Sequence, residues 1–292
     1  MKTISFSLKT ALFLMVVSCG LFFAISVSNA NAAMGDRSAA GSIPIAPGGE
    51  VTAPVNQEVK LNFGTRFDLY NKYYFIKIKP AKTGIITFKD DFSRGYSIVL
   101  CNAKKKIVSV GNNYSSVEDF LSWNSPYKEQ TFINYGVKKG LTYYIRLKGG
   151  STERADYQSS TPYIGTVKWT NKAIKPAKSG KSKKKAVKLK KGKKVKGLIV
   201  AGDKKGKWYK IKSKYHQTKI ICSAKNCNGA IVADVMYKSG GKWQKTRCTG
   251  VRRSNPSGSV VIYSTTKKNT FYVKVHPEKK DSGVYYLSWR KN

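Results

Sequence analysis

The chain has 292 residues, with 55 basic against 15 acidic, for a formal net charge of +40. Two histidines and so few carboxylates leave little material for nucleophilic or paired-acid catalysis, which needs a base beside a nucleophile or two facing carboxyl groups. Such a cation excess suits a polyanionic partner, or simple dispersal by like charges.

Residues 1–32 read as a secretory signal peptide. Lys2 and Lys9 precede the apolar run 11–27, and Ser28-Asn29-Ala30-Asn31-Ala32 offers small residues for cleavage after Ala32 or Ala30. An uncleaved anchor is the rival reading, since about 17 apolar residues lie at the short end of a membrane span. No second apolar span follows. The mature chain is therefore expected to be secreted or cell-surface associated, with no transmembrane segment after cleavage. Residues 33–54, with Pro44, Pro47, Pro54 and Gly48-Gly49, read as a flexible leader.

Period-two alternation then dominates. In the first β-domain, 55–171, Tyr74, Ile76 and Ile78 fall on one strand face, and further strands are expected at 85–88, 97–101, 142–147 and 166–169. Residues 172–185 form a Lys-rich linker whose Lys, Ser, Gly and Pro content cannot bury a core and whose charges repel, so the two domains are expected to move relative to one another. The second β-domain, 186–292, has strands expected at 219–223, 230–237, 260–263, 270–275 and 284–289. Asp, Gly, Pro and Ser clusters mark the turns between strands. Helix signal is nearly absent, so the fold class is all-β, with two tandem antiparallel sandwiches.

The two domains repeat each other. Residues 58–64 match 186–192, Phe75-Ile76-Lys77-Ile78-Lys79 matches Trp208-Tyr209-Lys210-Ile211-Lys212, 142–147 matches 270–275, and Val167-Lys168-Trp169 matches Leu287-Ser288-Trp289. Four matches in one order imply a duplicated domain, each copy with its own core.

In the second copy Ala186-Val187-Lys188-Leu189, then Asp203-Lys204-Lys205-Gly206-Lys207-Trp208-Tyr209-Lys210-Ile211, then Asp281-Ser282-Gly283-Val284-Tyr285-Tyr286-Leu287 resemble the bacterial pre-peptidase C-terminal domain. The first copy departs from the pattern, with Ile164-Gly165-Thr166-Val167 where the closing motif would stand. The resemblance implies a small jelly-roll-like β-sandwich, non-catalytic, of the kind appended to secreted enzymes for targeting or substrate binding. No peptidase precedes the domains here, so it implies fold more than function.

Charge is concentrated. Residues 172–196 hold 13 lysines and no acid. Only nine of the 55 basic residues are arginine, so the surface offers mobile ammonium groups rather than planar forks. Lys183, Lys184, Lys185, Lys190, Lys191, Lys193 and Lys194 are the candidate polyanion-binding residues. The expected partner is an anionic cell-wall or extracellular polysaccharide, not genomic nucleic acid, met by a monomer. Trp208 alternates away from Tyr209 and Ile211, and Trp243 follows Gly240-Gly241 at a hairpin tip. Both are candidate glycan-stacking residues, against the plainer reading of rings covering lysine stems. Carbohydrate binding through these aromatics, or service as accessory domains of a secreted hydrolase system, is the alternative function. Trp169 and Trp289 occupy matching closing strands and are expected to be structural.

His216 and His276 read as surface residues, and no nucleophile motif, phosphate loop or calcium loop accompanies them, so no catalytic residue, cofactor or metal is assigned. The adjacent pairs Asp90-Asp91 and Glu118-Asp119 single out no acid chemistry. Cys101 is expected as a buried free thiol. Among Cys222, Cys227 and Cys248 one bridge can form in any of three pairings; Cys227–Cys248 is favoured because Cys227 sits in a turn-like Asn226-Cys227-Asn228-Gly229.

Overall fold

The computed structural model describes residues 40–64, 72–90, 96–110, 131–149, 164–251, 257–263 and 269–292. The signal segment, Asp91 and Glu118-Asp119 lie outside them. All regular structure among the described residues is strand. The first sandwich comprises β1 (Ile43–Pro44), β2 (Glu50–Thr52), β3 (Glu58–Asn62), β4 (Tyr73–Ile78), β5 (Gly84–Asp90), β6 (Tyr96–Asn102), β7 (Ile107–Val110), β8 (Thr131–Val137), β9 (Tyr143–Gly149) and β10 (Ile164–Ala173). The second comprises β11 (Val187–Lys188), β12 (Val195–Ile199), β13 (Lys207–Ser213), β14 (Gln217–Cys227), β15 (Ile231–Ser239), β16 (Lys242–Val251), β17 (Ser257–Tyr263), β18 (Asn269–Pro277) and β19 (Gly283–Lys291).

Alternation places the cores. Tyr74, Ile76 and Ile78 of β4 are fully buried between two five-stranded sheets, ordered β1-β3-β10-β5-β8 and β2-β4-β9-β6-β7. They pack with Leu61, Phe88, Leu100, Tyr135, Ile145 and Trp169. In the second sandwich the sheets run β11-β13-β18-β15-β16 and β12-β19-β14-β17, around Tyr209, Ile211, Ile220, Phe271, Val273, Tyr285 and Leu287. The order β2-β4-β9-β6-β7 repeats as β11-β13-β18-β15-β16, and β3-β10-β5-β8 repeats as β12-β19-β14-β17. The strand order is therefore duplicated throughout except for β1, which the first sandwich adds at one edge.

One of the four sequence matches is corrected. Residues 186–192 correspond not to 58–64 but to 50–56. Val187 opposes Tyr209 in a parallel pair, as Val51 opposes Ile76. Trp289 Nε1 donates to Leu189 O at 2.9 Å, as Trp169 Nε1 donates to Ala53 O at 2.8 Å. Gly192 N donates to Trp289 O as Asn56 N donates to Trp169 O, both from a left-handed backbone, φ 70° and 64°. Both tryptophans thus take the structural role expected of them. The flexible-leader reading of 33–54 is corrected with the match over its described residues, 40–54: β1 and β2 add to the sheets, and Ala53 is buried. Their few side chains carry too little periodicity to announce a strand, and a parallel edge pairing holds them.

The expected independence of the two domains is also corrected. Ala201 N donates to Gly136 O (2.8 Å), Gly202 N to Val108 O (3.1 Å) and Val110 N to Lys280 O (2.9 Å). Ser282 Oγ accepts from Gly136 N at 3.0 Å and lies 3.0 Å from Ser109 Oγ. Asn228 Nδ2 donates to Ser109 Oγ at 2.8 Å and to Val110 O. Ser109, Asn228 and Ser282 are buried, so these bonds are shielded from water. Beside them Ile85 and Ile174 pack on Leu198 and Val284. The linker itself is tied down: Ile174 N donates to Thr83 O, Ala177 N to Lys196 O, and Gly180 exchanges hydrogen bonds with Trp208. Most of its lysines are exposed, while Ile174 and Gly180 are buried.

All four described cysteines are buried, and the favoured Cys227–Cys248 bridge is not formed. Cys248 lies in the core with its Sγ 3.6 Å from Ile220 O, whereas Cys227 turns toward Gly229 O at 3.3 Å. Burial raises the thiols of Cys101 and Cys222 and pushes Cys248 up to about 11. At pH 8 a thiol-specific alkylating reagent is expected to leave these three unlabelled in the native protein and to label all of them after denaturation. Rapid native labelling of Cys222 or Cys248, read by peptide mass spectrometry, would contradict the packed core.

Candidate functional site

The outer face of the β11-β13-β18-β15-β16 sheet is built by residues that alternate with the core. Tyr209 and Ile211 point inward from β13, so Trp208, Lys210 and Lys212 point outward. Phe271, Val273 and Val275 point inward from β18, so Tyr272, Lys274 and His276 point outward. Antiparallel register sets these in rows. Trp208, Lys274, Asp234 and Arg247 form one row; Lys210, Tyr272, Met236 and Lys245 form the next. β15 and β16 join through Gly240-Gly241, at φ 56° and 76°, which seats Trp243 opposite Lys238. Two successive left-handed residues are what a two-residue hairpin loop needs, and glycine supplies them without a steric cost.

The rings and ammonium groups interleave. Lys183 Nζ lies 3.2 Å from the Trp243 ring centroid and 5.1 Å from that of Tyr272. Trp243 and Tyr272 meet edge to face at 5.9 Å. Lys238 Nζ is 5.7 Å from Trp243, Lys210 Nζ 5.5 Å from Tyr272 and Lys274 Nζ 6.0 Å from Trp208. Each such contact stabilises by about 0.5–1 kcal/mol at an exposed site, so the cations are held but exchangeable. Trp243 remains 48% exposed.

Asp234 is an acid on this face, and its charge is consumed locally. Its Oδ1 accepts from Arg247 Nε at 2.8 Å; its Oδ2 lies 2.9 Å from Lys245 Nζ and 3.0 Å from His276 Nε2. Burial alone would raise this carboxyl. The hydrogen bonds from Arg247, Lys245 and His276 outweigh that and lower it to about 2. His276 is half-buried, with Nδ1 2.7 Å from Pro277 O. Among the described residues, no group of three His, Cys, Asp or Glu side chains is placed to hold a metal.

The seven candidate lysines divide. Lys183 sits on the aromatic face, with the exposed Lys184 and Lys185 next to it in sequence. Lys190, Lys191, Lys193 and Lys194 are exposed in the turn between β11 and β12. There Lys191 Nζ lies 2.6 Å from Tyr215 Oη, and Lys194 Nζ lies 4.8 Å from the Tyr286 ring. Trp208 and Trp243 share one face, as a common stacking surface requires. Sequence reasoning missed Tyr272, Lys274 and the Asp234 cluster. The Tyr272-x-Lys274 alternation was visible, but only the register shows that it lies between the two tryptophans.

No family model matches the chain, and no curated protein does. Among solved structures, a putative secreted protein from Eubacterium rectale is similar at 10% identity over 84% of this chain and 80% of that one, with a TM-score of 0.26. The tandem CBM51 modules of a family 98 glycoside hydrolase from Streptococcus pneumoniae are similar at 10% identity over 82% and 85%, with a TM-score of 0.23. The M60 catalytic domain with two CBM51 domains of Clostridium perfringens ZmpB is similar at 9% identity over 80% of this chain and 34% of that chain, with a TM-score of 0.22. Scores this low carry no weight for ligand or mechanism. Among the described residues no helix is long and apolar enough to cross a membrane.

Proposed function

We propose that this chain is a secreted, non-catalytic protein that attaches to an anionic extracellular polysaccharide, of a cell wall or surface, through the Trp208–Tyr272–Trp243 face. The observation that carries the reading is the Lys183 ammonium stacked on the exposed Trp243 ring beside Tyr272. A sugar that stacks its C–H face on that ring must displace the ammonium. A neutral sugar leaves the displaced charge without a partner. An acidic sugar takes the ring and pairs with the ammonium at once, so the face discriminates in favour of anionic glycans. The surrounding Lys210, Lys238, Lys274 and Lys184 extend the attraction along a polymer.

Two sets of variants, titrated against immobilised heparin and against purified bacterial wall polymer at several salt concentrations, test this. Trp243→Ala is expected to weaken binding about three- to tenfold, the worth of one aromatic contact. Replacing Lys183, Lys184, Lys185, Lys190, Lys191, Lys193 and Lys194 with glutamine is expected to flatten the salt dependence, because fewer counterions are released. Stability should hardly change. Salt-resistant binding to a neutral glycan, lost in Trp208→Ala and Trp243→Ala, would instead favour a neutral carbohydrate-binding module. Glutamine and alanine variants that all bind like the parent would overturn both.

A further inference from the structure

The first sandwich carries the same face in a different electrostatic state. Phe75 opposes Arg146 and Lys77 opposes Tyr144, just as Trp208 opposes Lys274 and Lys210 opposes Tyr272. A ring pair stands here too, though from different strand positions: Phe75 of β4 and Tyr144 of β9 meet edge to face at 6.1 Å, where the second sandwich pairs Tyr272 of β18 with Trp243 of β16, and again one ammonium covers both rings. Here it is Lys105 Nζ, 4.4 Å from Phe75 and 5.4 Å from Tyr144, reaching over from the β6–β7 turn. The guanidinium of Arg146 lies 4.7 Å from the Tyr73 ring, and its buried Nε has no hydrogen-bond partner among the described residues. A planar donor therefore stands beside the rings, of the type that suits a carboxylate or sulfate.

At the ring-stacked lysine the difference lies in one residue. Glu50 of β2 opposes Phe75 and reaches Lys105 at 3.2 Å and Lys77 at 3.8 Å. Ala186 takes the matching place beside Trp208, one residue before Val187, and brings no carboxylate. All three members of the Glu50 cluster are about two-fifths exposed: Glu50 41%, Lys77 42% and Lys105 39%. An ion pair that exposed opens readily. Tethered at high local concentration, it still competes with any anion that approaches the same ammonium.

We propose that Phe75, Tyr144, Lys105 and Arg146 form a second site for acidic sugar residues, and that Glu50 attenuates it by occupying the lysines the ligand would use. This inference rests on reading the second sandwich as a binder of anionic polysaccharide. The chain is then bivalent by duplication but unequal in where its carboxylates sit: Glu50 pairs with the ring-stacked Lys105 on the first sandwich, whereas Asp234 on the second is taken up by Arg247, Lys245 and His276, which makes the second face the strong one and the first the weak one.

The test is calorimetric titration of the full chain with a short heparin oligosaccharide at constant salt, with thermal melting as the check on folding. Trp208→Ala with Trp243→Ala removes the strong face and is expected to leave weak binding. Adding Glu50→Gln to that background should tighten the residual binding roughly three- to tenfold, through loss of one competing charge. Adding Lys105→Gln should take the gain away. If Glu50→Gln leaves the affinity unchanged, or the gain survives Lys105→Gln, the second site is overturned while the proposed function stands. If the parent binds no acidic oligosaccharide, both fall.

Discussion

Gly136→Ala is expected to destabilise the protein by about 3 kcal/mol, and Gly136→Val by more, although neither touches a sandwich core. Gly136 lies on β8 where the two sandwiches meet. A Cβ there would run into the Ile199 carbonyl oxygen and crowd Gly283 N at 3.1 Å, and both obstacles are backbone. Backbone inside paired strands cannot swing aside as a flexible side-chain end does, so the interface must open. Opening it loses the bonds from Ala201 N to Gly136 O and from Gly136 N to Ser282 Oγ. It also leaves Ser109, Asn228 and Ser282 short of partners in a region built to exclude water. Overpacking of this kind costs about 1–3 kcal/mol, and each lost buried bond adds about 1 kcal/mol. In urea the parent should unfold in one transition, since each sandwich leans on the other. Gly136→Ala should split it into two, with the weaker sandwich melting first. A single transition at the parent's midpoint would show that these strand-edge contacts do not hold the sandwiches together in solution.

That interface was invisible in the sequence for a physical reason. Its polar members, Ser109, Gly136, Asn228 and Ser282, are small residues whose partners lie 118 to 173 positions away where a side-chain bond joins them across the two halves. No periodicity marks such a contact. The linker misled in the opposite direction: its lysines signal solvation, while the anchoring is done by Ile174, Ala177 and Gly180, too few to register against the charge. By contrast, alternation made strands such as β4, β9, β14 and β18 legible, whereas β8 went unread although Ile133, Tyr135 and Val137 alternate inward, and so did β16. Trp208 was placed outward correctly because Tyr209 and Ile211 demanded the opposite face. The first repeat match slipped because Val-x-Leu occurs both in β3 and at the start of the second copy, and only hydrogen-bond register separates them. The candidate site was half legible. Both tryptophans and Lys183 could be named, but Tyr272, which bridges them, required the strand order.

Acidification should loosen this same face before it affects either core. Asp234 is the anchor: one carboxylate gathers the Arg247 and Lys245 cations of β16 and the His276 ring of β18. Its carboxyl is lowered from 3.8 to about 2 in the folded chain. A group whose folded value is depressed contributes its stabilisation above the unfolded value and loses it as pH falls through the folded one. The contribution is therefore full above about pH 4 and disappears between pH 4 and pH 2. With two of the partners largely exposed, it amounts to about 1–2 kcal/mol after solvent screening. Asp234→Asn should remove that part of the pH dependence, so that parent and variant converge in stability near pH 2 and differ at neutral pH. The substitution should also change binding in an informative direction. Freed of their carboxylate, Lys245, Arg247 and His276 turn toward solvent beside Tyr272, so affinity for heparin at fixed salt is expected to rise even as the melting temperature drops by a few degrees. A variant that loses stability and binding together would show instead that Asp234 shapes the face on which the rings stand, and that its role is to hold β15, β16 and β18 in register rather than to ration their charge.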